Sequence, residues 1–273
     1  MLLLKKWLLF GLLLMSAFTR VNATEYQPWV GNIYEFEWRN SLIYQQYSQV
    51  SSGSHLKRKS GHDTFFNVSV LNTISEFSPE IEVLGANTHR QPGNIDSLKV
   101  NGRYVWKDDV AGDAITLTTG VSLTKAFWPS LKDVSSFHHG LGEAELFVSF
   151  GRERSVESDW VSRWWGMVGI GVAERGSPWM RIQGDYDMQW NEKHRLKLFC
   201  HTLWGLGRER LHLQHFHGYG SIRHQSVDLG IKYDYQIEFV GSVSCQYSYR
   251  VYALNFPAYT HRVVLQVLYT FGL

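Results

Sequence analysis

The sequence predicts an all-β fold, a single closed antiparallel β-barrel of about twelve strands crossing a membrane, and three observations carry that prediction. Beyond its first two dozen residues the chain is a succession of alternating apolar and polar segments of about ten residues each, the length a tilted strand needs to span a bilayer. Aromatic residues make up 15% of the chain, with 11 Trp and 14 Tyr, yet the mean hydropathy is only -0.23. Helical spans need about 18 or more consecutive apolar residues, whereas a barrel strand offsets each outward apolar residue with an inward polar one. The third observation is the last stretch, where Val263, Leu265, Val267, Tyr269 and Phe271 fall on every second position and point to one side of a strand. Arg262, Gln266 and Thr270 take the other face, mixed with Val264 and Leu268.

The chain has 273 residues, the size of one domain or slightly more, and a formal charge of +2 that gives no sign of a nucleic-acid partner. Residues 1–23 read as a secretory signal, with Lys5 and Lys6 as the charged start, Trp7 to Met15 as the apolar run, and Val21-Asn22-Ala23 as a cleavage site before Thr24. The alternative, a single membrane anchor, calls for a longer apolar run. No lipobox cysteine is present. Residues 24–273 then form one barrel domain. Cys200 and Cys245 fall on outward positions of strands separated by a third, about 10 Å apart at about 4.8 Å per strand. A disulfide requires less than about 7 Å, so free thiols facing lipid are expected.

Segment one, 32–45, sets Tyr34, Phe36, Trp38, Leu42 and Tyr44 against Glu35, Glu37 and Arg39. The polar run from Ser51-Ser52-Gly53 through Lys57-Arg58-Lys59-Ser60-Gly61 predicts a loop over 48–62. Segment two, 63–75, sets Phe66, Val68 and Val70 against Asn67, Ser69 and Thr73; a tight link at Ser78-Pro79 leads to a short segment three, 80–87. Segment four, 97–107, opposes Leu98, Val100, Tyr104 and Trp106 to Lys99, Asn101, Arg103 and Lys107. After the turn Asp108-Asp109-Val110-Ala111-Gly112-Asp113, segment five sets Ile115, Leu117, Val121 and Leu123 against Thr116, Thr118 and Ser122.

A loop over 126–140 precedes segment six, 142–151, in which Leu146, Val148 and Phe150 alternate with Glu143, Glu145 and Ser149. Segment seven, 161–173, carries Trp164, Val168, Ile170 and Val172, with glycines at 166, 169 and 171 that mark a bend or close packing. Segment eight, 178–190, opposes Met180, Ile182, Tyr186, Met188 and Trp190 to Arg181, Gln183, Asp185, Asp187 and Gln189. Segment nine, 194–206, sets Leu196, Leu198, Trp204 and Leu206 against Arg195, Lys197 and His201, before a long loop over 207–224. Segment ten runs Val227, Leu229, Ile231, Tyr233, Tyr235, Ile237 and Phe239 opposite Asp228, Lys232, Asp234, Gln236 and Glu238. Segment eleven pairs Val243, Cys245, Tyr247, Tyr249 and Val251 with Ser242, Ser244, Gln246, Ser248 and Arg250, and segment twelve is the closing stretch.

An even count lets both ends lie on the same side of the membrane, with ten and fourteen as the neighbouring counts. The connections 48–62, 88–96, 126–141, 174–177, 207–224 and 253–260 are mostly longer than those between them, as extracellular loops are. A soluble β-sandwich is the alternative. It leaves unexplained why the outward faces are lipid-like while the inward ones carry charge.

A lumen with this many ionisable groups is either wet or internally paired, because an unpaired buried charge costs several kcal/mol. The candidate lumen-lining residues for solute contact are Glu35, Glu37, Arg39, Lys99, Arg103, Glu143, Glu145, Arg181, Asp185, Asp187, Lys197, Asp228, Lys232, Asp234 and Arg250. Register across 88–96 brings Glu82 near Arg103, and across 191–194 Asp187 near Lys197, while Glu143 and Glu145 receive no partner by register. Acids and bases nearly balance, which disfavours a strongly ion-selective pore. A twelve-stranded barrel lies between small filled barrels and the open channels of sixteen-stranded porins.

Three resemblances follow from particular residues. The closing strand, with aromatics near its carboxyl end, resembles the terminal strand of Gram-negative outer-membrane β-barrels, which implies an outer-membrane location and recognition by the barrel-assembly machinery. This chain overshoots the usual terminal phenylalanine by Gly272 and Leu273. The run His138-His139-Gly140-Leu141-Gly142-Glu143-Ala144-Glu145-Leu146 resembles the Gly-Leu-Gly-Asp type of segment in the outer-membrane family associated with meta-pathway phenol degradation, which implies small-molecule uptake. Glu143 stands where that family has aspartate, and a tight strand start using glycine is the structural alternative. His224-Gln225-Ser226 has the His–Ser spacing of outer-membrane phospholipases, but Val227-Asp228 replaces their Asn-Gly and Ser226 has inward parity.

Histidines 212, 215 and 217, with His224 nearby, are ligand types for zinc or copper, but an exposed polar loop accounts for them and no metal or cofactor is expected. The Lys57-Arg58-Lys59 run reads as a solvated loop able to contact anionic sugars of an outer leaflet. The expected function is an outer-membrane channel or transporter admitting small polar solutes through a narrow charge-lined lumen. The alternative is a structural or surface-interaction barrel closed by its own salt bridges, and the least favoured is a lipid hydrolase. No plug domain or coupling box is read ahead of the first strand, and the partners expected are outer-membrane lipids, small solutes and the assembly machinery.

Overall fold

The computed structural model describes residues 26–53, 55–156, 159–237 and 241–272. Its strands are β1 (Glu35–Ser52), β2 (His55–Asn72), β3 (Phe77–Asn87), β4 (Asn94–Lys107), β5 (Thr116–Ala126), β6 (Gly142–Val156), β7 (Asp159–Ala173), β8 (Trp179–Trp190), β9 (His194–Gly205), β10 (Gln225–Ile237), β11 (Gly241–Leu254), a two-residue β12 (Pro257–Ala258) and β13 (His261–Gly272). Twelve long strands pair in sequence order, and β1 closes the ring by pairing with β2 on one side and with β13 and β12 on the other. Glu35 meets Gly272 at one end of the wall, here the lower rim, and the opposite end is the upper rim. The predicted segments thus appear in the expected order and nearly the expected places.

Alternation explains why the sheet closes. Along β10, Leu229, Ile231, Tyr233, Tyr235 and Ile237 are exposed on the outside, and along β13 so are Val263, Leu265, Val267, Tyr269 and Phe271. The inward positions of neighbouring strands hold buried Arg39, Asn101, Arg103, Glu145, Asp187, Lys197 and Arg250. A continuous apolar surface of this kind has no favourable place in water, at about 25 cal/mol per Å² of apolar area, and fits the hydrocarbon of a bilayer. No helix among the described residues is long and apolar enough to cross a membrane. Residues 1–23, Glu238 and Phe239 lie outside the described residues.

The inside is less uniformly charged than the sequence predicts. Ile43, Phe65, Ala86 and Val264 form an apolar patch with Leu84, and Phe147, Trp165 and Met167 pack with Tyr26 and Trp29. Period two assigns a side but not its polarity, and here apolar inward positions of adjacent strands simply meet.

Three other expectations change. The loop over 48–62 is instead a hairpin, its strands running to Ser52 and from His55 around Gly53 at φ +63, with Lys57 opposite Val50. Continuing the ladder satisfies the backbone of these polar residues, and the inward Tyr47 and Val50 pack beneath loops folded over the mouth. The link at Ser78-Pro79 lies within β3, opposite Arg103 and Gly102, and the chain turns at 73–76. The long upper connections keep residues such as Trp128, His212 and His217 exposed but also fold over the mouth: Val134, Leu211, Phe216, Tyr219, Ile222 and Phe256 turn inward with Tyr47 and Val50 to form an apolar lid. Cys200 and Cys245 are free thiols on β9 and β11, separated by β10.

Candidate functional site: the lumen

Beneath the lid lies a chamber of about 250 Å³, with a second cavity of about 120 Å³ below it and a third of about 200 Å³ toward the lower rim. The upper chamber is lined by groups from opposite walls, among them Lys99 on β4, Glu145 on β6, Arg181 on β8, Asp228 on β10 and Arg250 on β11. Arg250 grips Asp228 with Nε to Oδ1 at 2.7 Å and Nη2 to Oδ2 at 2.9 Å, a bidentate geometry. Arg181 Nη2 lies 3.0 Å from Glu145 Oε2, although those residues sit on strands separated by β7. The intervening β7 makes this reach feasible because Gly169 and Gly171 face inward. A Cβ on Gly171 would stand 2.1 Å from the Trp179 indole, so only glycine leaves room for that ring.

Lower in the barrel, Asp187 is fully buried and held by Arg195 Nη2 at 3.1 Å and Lys197 Nζ at 3.9 Å, with Lys197 also 3.6 Å from Asp185. Lys232 meets Asp234 at 3.1 Å, and Arg39 pairs with Glu37. Pairing keeps the desolvation penalty of buried charges tolerable.

The lid is fastened to the chamber by a buried polar cluster. His138 Nε2 contacts Asp96 Oδ2 at 2.7 Å and His138 Nδ1 lies 3.7 Å from Glu143. Burial pulls the His138 pKa down, but the two carboxylates more than offset this and hold it up to about 10. His139 stacks on Trp179, with ring centroids 3.6 Å apart at 5°, and its Nε2 lies 3.3 Å from His224 Nε2. His224 Nδ1 lies 2.9 Å from the Ile222 carbonyl, and its ring occupies space that a Cβ on Gly205 would take. Burial, with His139 close by, pushes the His224 pKa down to about 3, and burial also lowers that of His139. The cluster therefore favours the charged form of His138 and the neutral forms of His139 and His224. Tyr219 ties the lid together, donating its hydroxyl to the Val134 carbonyl at 2.7 Å and its amide to the His138 carbonyl at 2.8 Å.

Residues 26–31 run inside the barrel, and Asn32, Ile33 and Tyr34 are exposed at the lower rim before the chain joins β1. Ser149 Oγ donates to the Tyr26 carbonyl at 2.5 Å, Arg103 Nη1 to the Gln27 carbonyl at 3.2 Å, and Thr118 Oγ1 to the Pro28 carbonyl at 2.6 Å. The Tyr26 phenol oxygen accepts from Lys99 Nζ at 2.9 Å and Arg181 Nη1 at 3.4 Å. Trp29 donates to Asp109 at 2.9 Å and lies under the Arg163 guanidinium.

Of the sequence-predicted lumen residues, Lys99, Glu143, Glu145, Arg181, Asp228 and Arg250 line the upper chamber. Asp185 and Lys197 line the middle cavity, with Lys232 shared between it and the lower one, where Glu37, Arg39 and Asp234 lie. Arg103 and Asp187 are buried in the wall beside these spaces, whereas Glu35 sits half-exposed at the rim, accepting from Asn32 at 2.7 Å. The β3–β4 register sets Lys99 opposite Glu82 and Ser78 opposite Arg103, so the ladder pairing expected of Glu82 and Arg103 is displaced; Asp187 does face Lys197. Glu143 and Glu145, left without partners by register, find His138, His139 and Arg181.

Reasoning from sequence missed Tyr26, Asp96, Trp179 and the lid, and omitted Arg262 from the candidates although its parity on β13 marks it as inward. Arg262 lines both upper cavities and donates to Gln45 at 2.9 Å. In the Gly140-Leu141-Gly142 run the amides of Leu141 and Gly142 donate to Glu174 at 2.7 and 2.6 Å, a structural use of that motif. His212, His215 and His217 are exposed and His224 is buried apart from them; among the described residues no His, Cys, Asp or Glu cluster is arranged to hold a metal ion. Ser226 is buried on the inward face.

No protein-family model matches the sequence, and no curated protein matches it. Solved structures do. An outer-membrane channel from Pseudomonas putida F1 superimposes with a TM-score of 0.66 at 10% identity, covering 92% of this chain and 100% of that one. The NanC porin gives 0.57 at 10% identity over 86% and 98%, and the KdgM porin 0.51 at 13% over 85% and 99%. The chain is a closed twelve-stranded antiparallel β-barrel with the fold of outer-membrane channels and porins.

Proposed function

We propose that this chain is an outer-membrane channel that admits small polar solutes along its charge-paired lumen. The observation that carries the reading is the combination of an apolar exterior with successive cavities lined by ionised side chains from opposite walls. A barrel needed only as a scaffold has no use for so many buried charges, each of which is expensive to desolvate. In this reading the candidate lumen residues make the solute contacts, Arg262 joins them, and the protein acts without cofactor or catalysis. Residues 1–23 serve as a removed export signal, the closing strand is read by the barrel-assembly machinery, and the upper rim faces outward, with membrane lipid around the apolar belt.

The experiment is conductance of the purified full chain in planar bilayers together with swelling of proteoliposomes in small polar solutes. Defined single-channel steps and solute-dependent swelling are expected. A second reading, a surface-interaction barrel with its lumen shut, draws on the apolar lid and on the buried Tyr26 and Trp29 of the segment that enters the lumen. Electrical silence of a correctly folded, heat-modifiable barrel would favour it over the channel.

A further inference from the structure

Residues 26–32 belong to no strand, so their backbone is not spent on a ladder. Instead the wall gives them donors. Ser149, Thr118, Arg103, Lys99 and Arg181, from β4, β5, β6 and β8, converge on three carbonyls and one phenol oxygen of the segment. These five contacts run from wall to segment, with Trp29 donating the other way to Asp109 at 2.9 Å, and two of the donors, Lys99 and Arg181, meet on the same oxygen. That is the arrangement a protein offers a ligand rich in acceptor oxygens. The ring of Tyr26 adds an apolar contact, packing edge-on against Phe147 with centroids 4.9 Å apart.

The segment also sits where it divides the lumen. Tyr26 lines the upper and middle cavities while Gln27 lines the lower one. Tyr26 and Trp29 are 4% and 7% exposed, so the segment is seated and does not hang in solvent. Its anchors are ring contacts and hydrogen bonds, and the hydrogen bonds are ones that a solute oxygen can accept in place of the segment.

We propose that residues 26–32 are a displaceable plug standing in for a solute, and that the wall they cover is a binding site for small hydroxylated carboxylates. Displacement hands the Lys99 ammonium and the Arg181 guanidinium from the phenol oxygen to the solute carboxylate, and Ser149 and Thr118 to its hydroxyls. The proposal rests on the channel reading and gives that channel a substrate class and a closed state.

The test uses the full chain in proteoliposomes with gluconate and sorbitol as probes, which share a six-carbon hydroxylated skeleton and differ in the carboxylate. Folding is checked by heat-modifiable gel mobility, with Tyr26→Ala alone as a milder variant if the double variant folds poorly. Tyr26→Ala with Trp29→Ala is expected to raise gluconate entry at least about tenfold, the effect of losing the two charge-assisted hydrogen bonds to the Tyr26 phenol from the closed state. Adding Lys99→Gln is expected to remove the advantage of gluconate over sorbitol while leaving sorbitol entry raised. Wild-type channels that conduct, alongside plug variants of unchanged flux, would overturn the plug and leave the channel standing. Equal gains for both probes, insensitive to Lys99→Gln, would overturn the carboxylate site. Silence of every variant would overturn the proposal together with the channel.

Discussion

His138 is the point at which the lid is most strongly tied to the barrel by charge, and its removal has a calculable effect. The ring is buried between Asp96 and Glu143, whose carboxylates hold its pKa up to about 10. An unfolded histidine titrates near 6.5, so at about 1.36 kcal/mol per pH unit the charged ring contributes on the order of 4–5 kcal/mol. The folded pKa is the raised one, so this stabilisation is fully present below about pH 6.5 and is lost as pH rises through about 10. His138→Gln keeps a donor but removes the charge, leaving two buried carboxylates uncompensated at about 3–5 kcal/mol. The assay is urea denaturation of the folded barrel in detergent from pH 6 to 10.5, with histidine-selective NMR to locate each imidazole. The wild-type midpoint is expected to fall toward high pH, and the variant to start lower with a flatter profile. An imidazole titrating near 6.5 that vanishes in His138→Gln would refute the reasoning, as would identical profiles for the two proteins.

Three further outcomes are expected. Glu145→Gln strips Arg181 of its carboxylate partner and should lower the urea midpoint by the equivalent of about 2–3 kcal/mol, while adding Arg181→Met should recover part of that loss. His224 has its pKa pushed down to about 3, so the unfolded chain binds the proton first and stability declines as pH drops from about 6.5 toward about 3. Substitution of His224 by Phe should remove that share of the acid slope. Gly171→Ala would drive a methyl into the Trp179 ring, and a loss of about 1–3 kcal/mol with altered Trp fluorescence is expected.

The strands were legible because a bilayer enforces one rule at every outward position, and period two in β8, β10, β11 and β13 records it directly. What was hidden depends on contacts between distant parts of the chain. Lys57 to Gly61 look like a loop by composition, yet their backbone continues a ladder because β1 opposite them packs Tyr47 and Val50 under the lid. Asp96 and His138 are 42 positions apart, and Arg181 reaches Glu145 across an entire strand, beyond the reach of neighbour-register reasoning. The inward run of Tyr26 to Trp29 leaves no period in the sequence at all, since its partners are side chains of five separate strands, β4 to β8. Arg262 was within reach, because its parity placed it beside Gln266 on the inward face of β13.

The proposition beneath all of this is that hydrocarbon surrounds the molecule while polar groups fill its middle, and spin labels tell the two sides apart. Cys245 is an exposed native thiol on the outward face of β11, and Gln246 follows it on the inward face, lining the middle cavity. In proteoliposomes a nitroxide at Cys245 is expected to relax strongly with oxygen and weakly with a water-soluble nickel chelate, while one at Gln246→Cys, in a Cys245→Ser and Cys200→Ser background, loses the oxygen effect. A label at Cys245 that responds to the chelate as readily as to oxygen would contradict the assignment of that face to lipid.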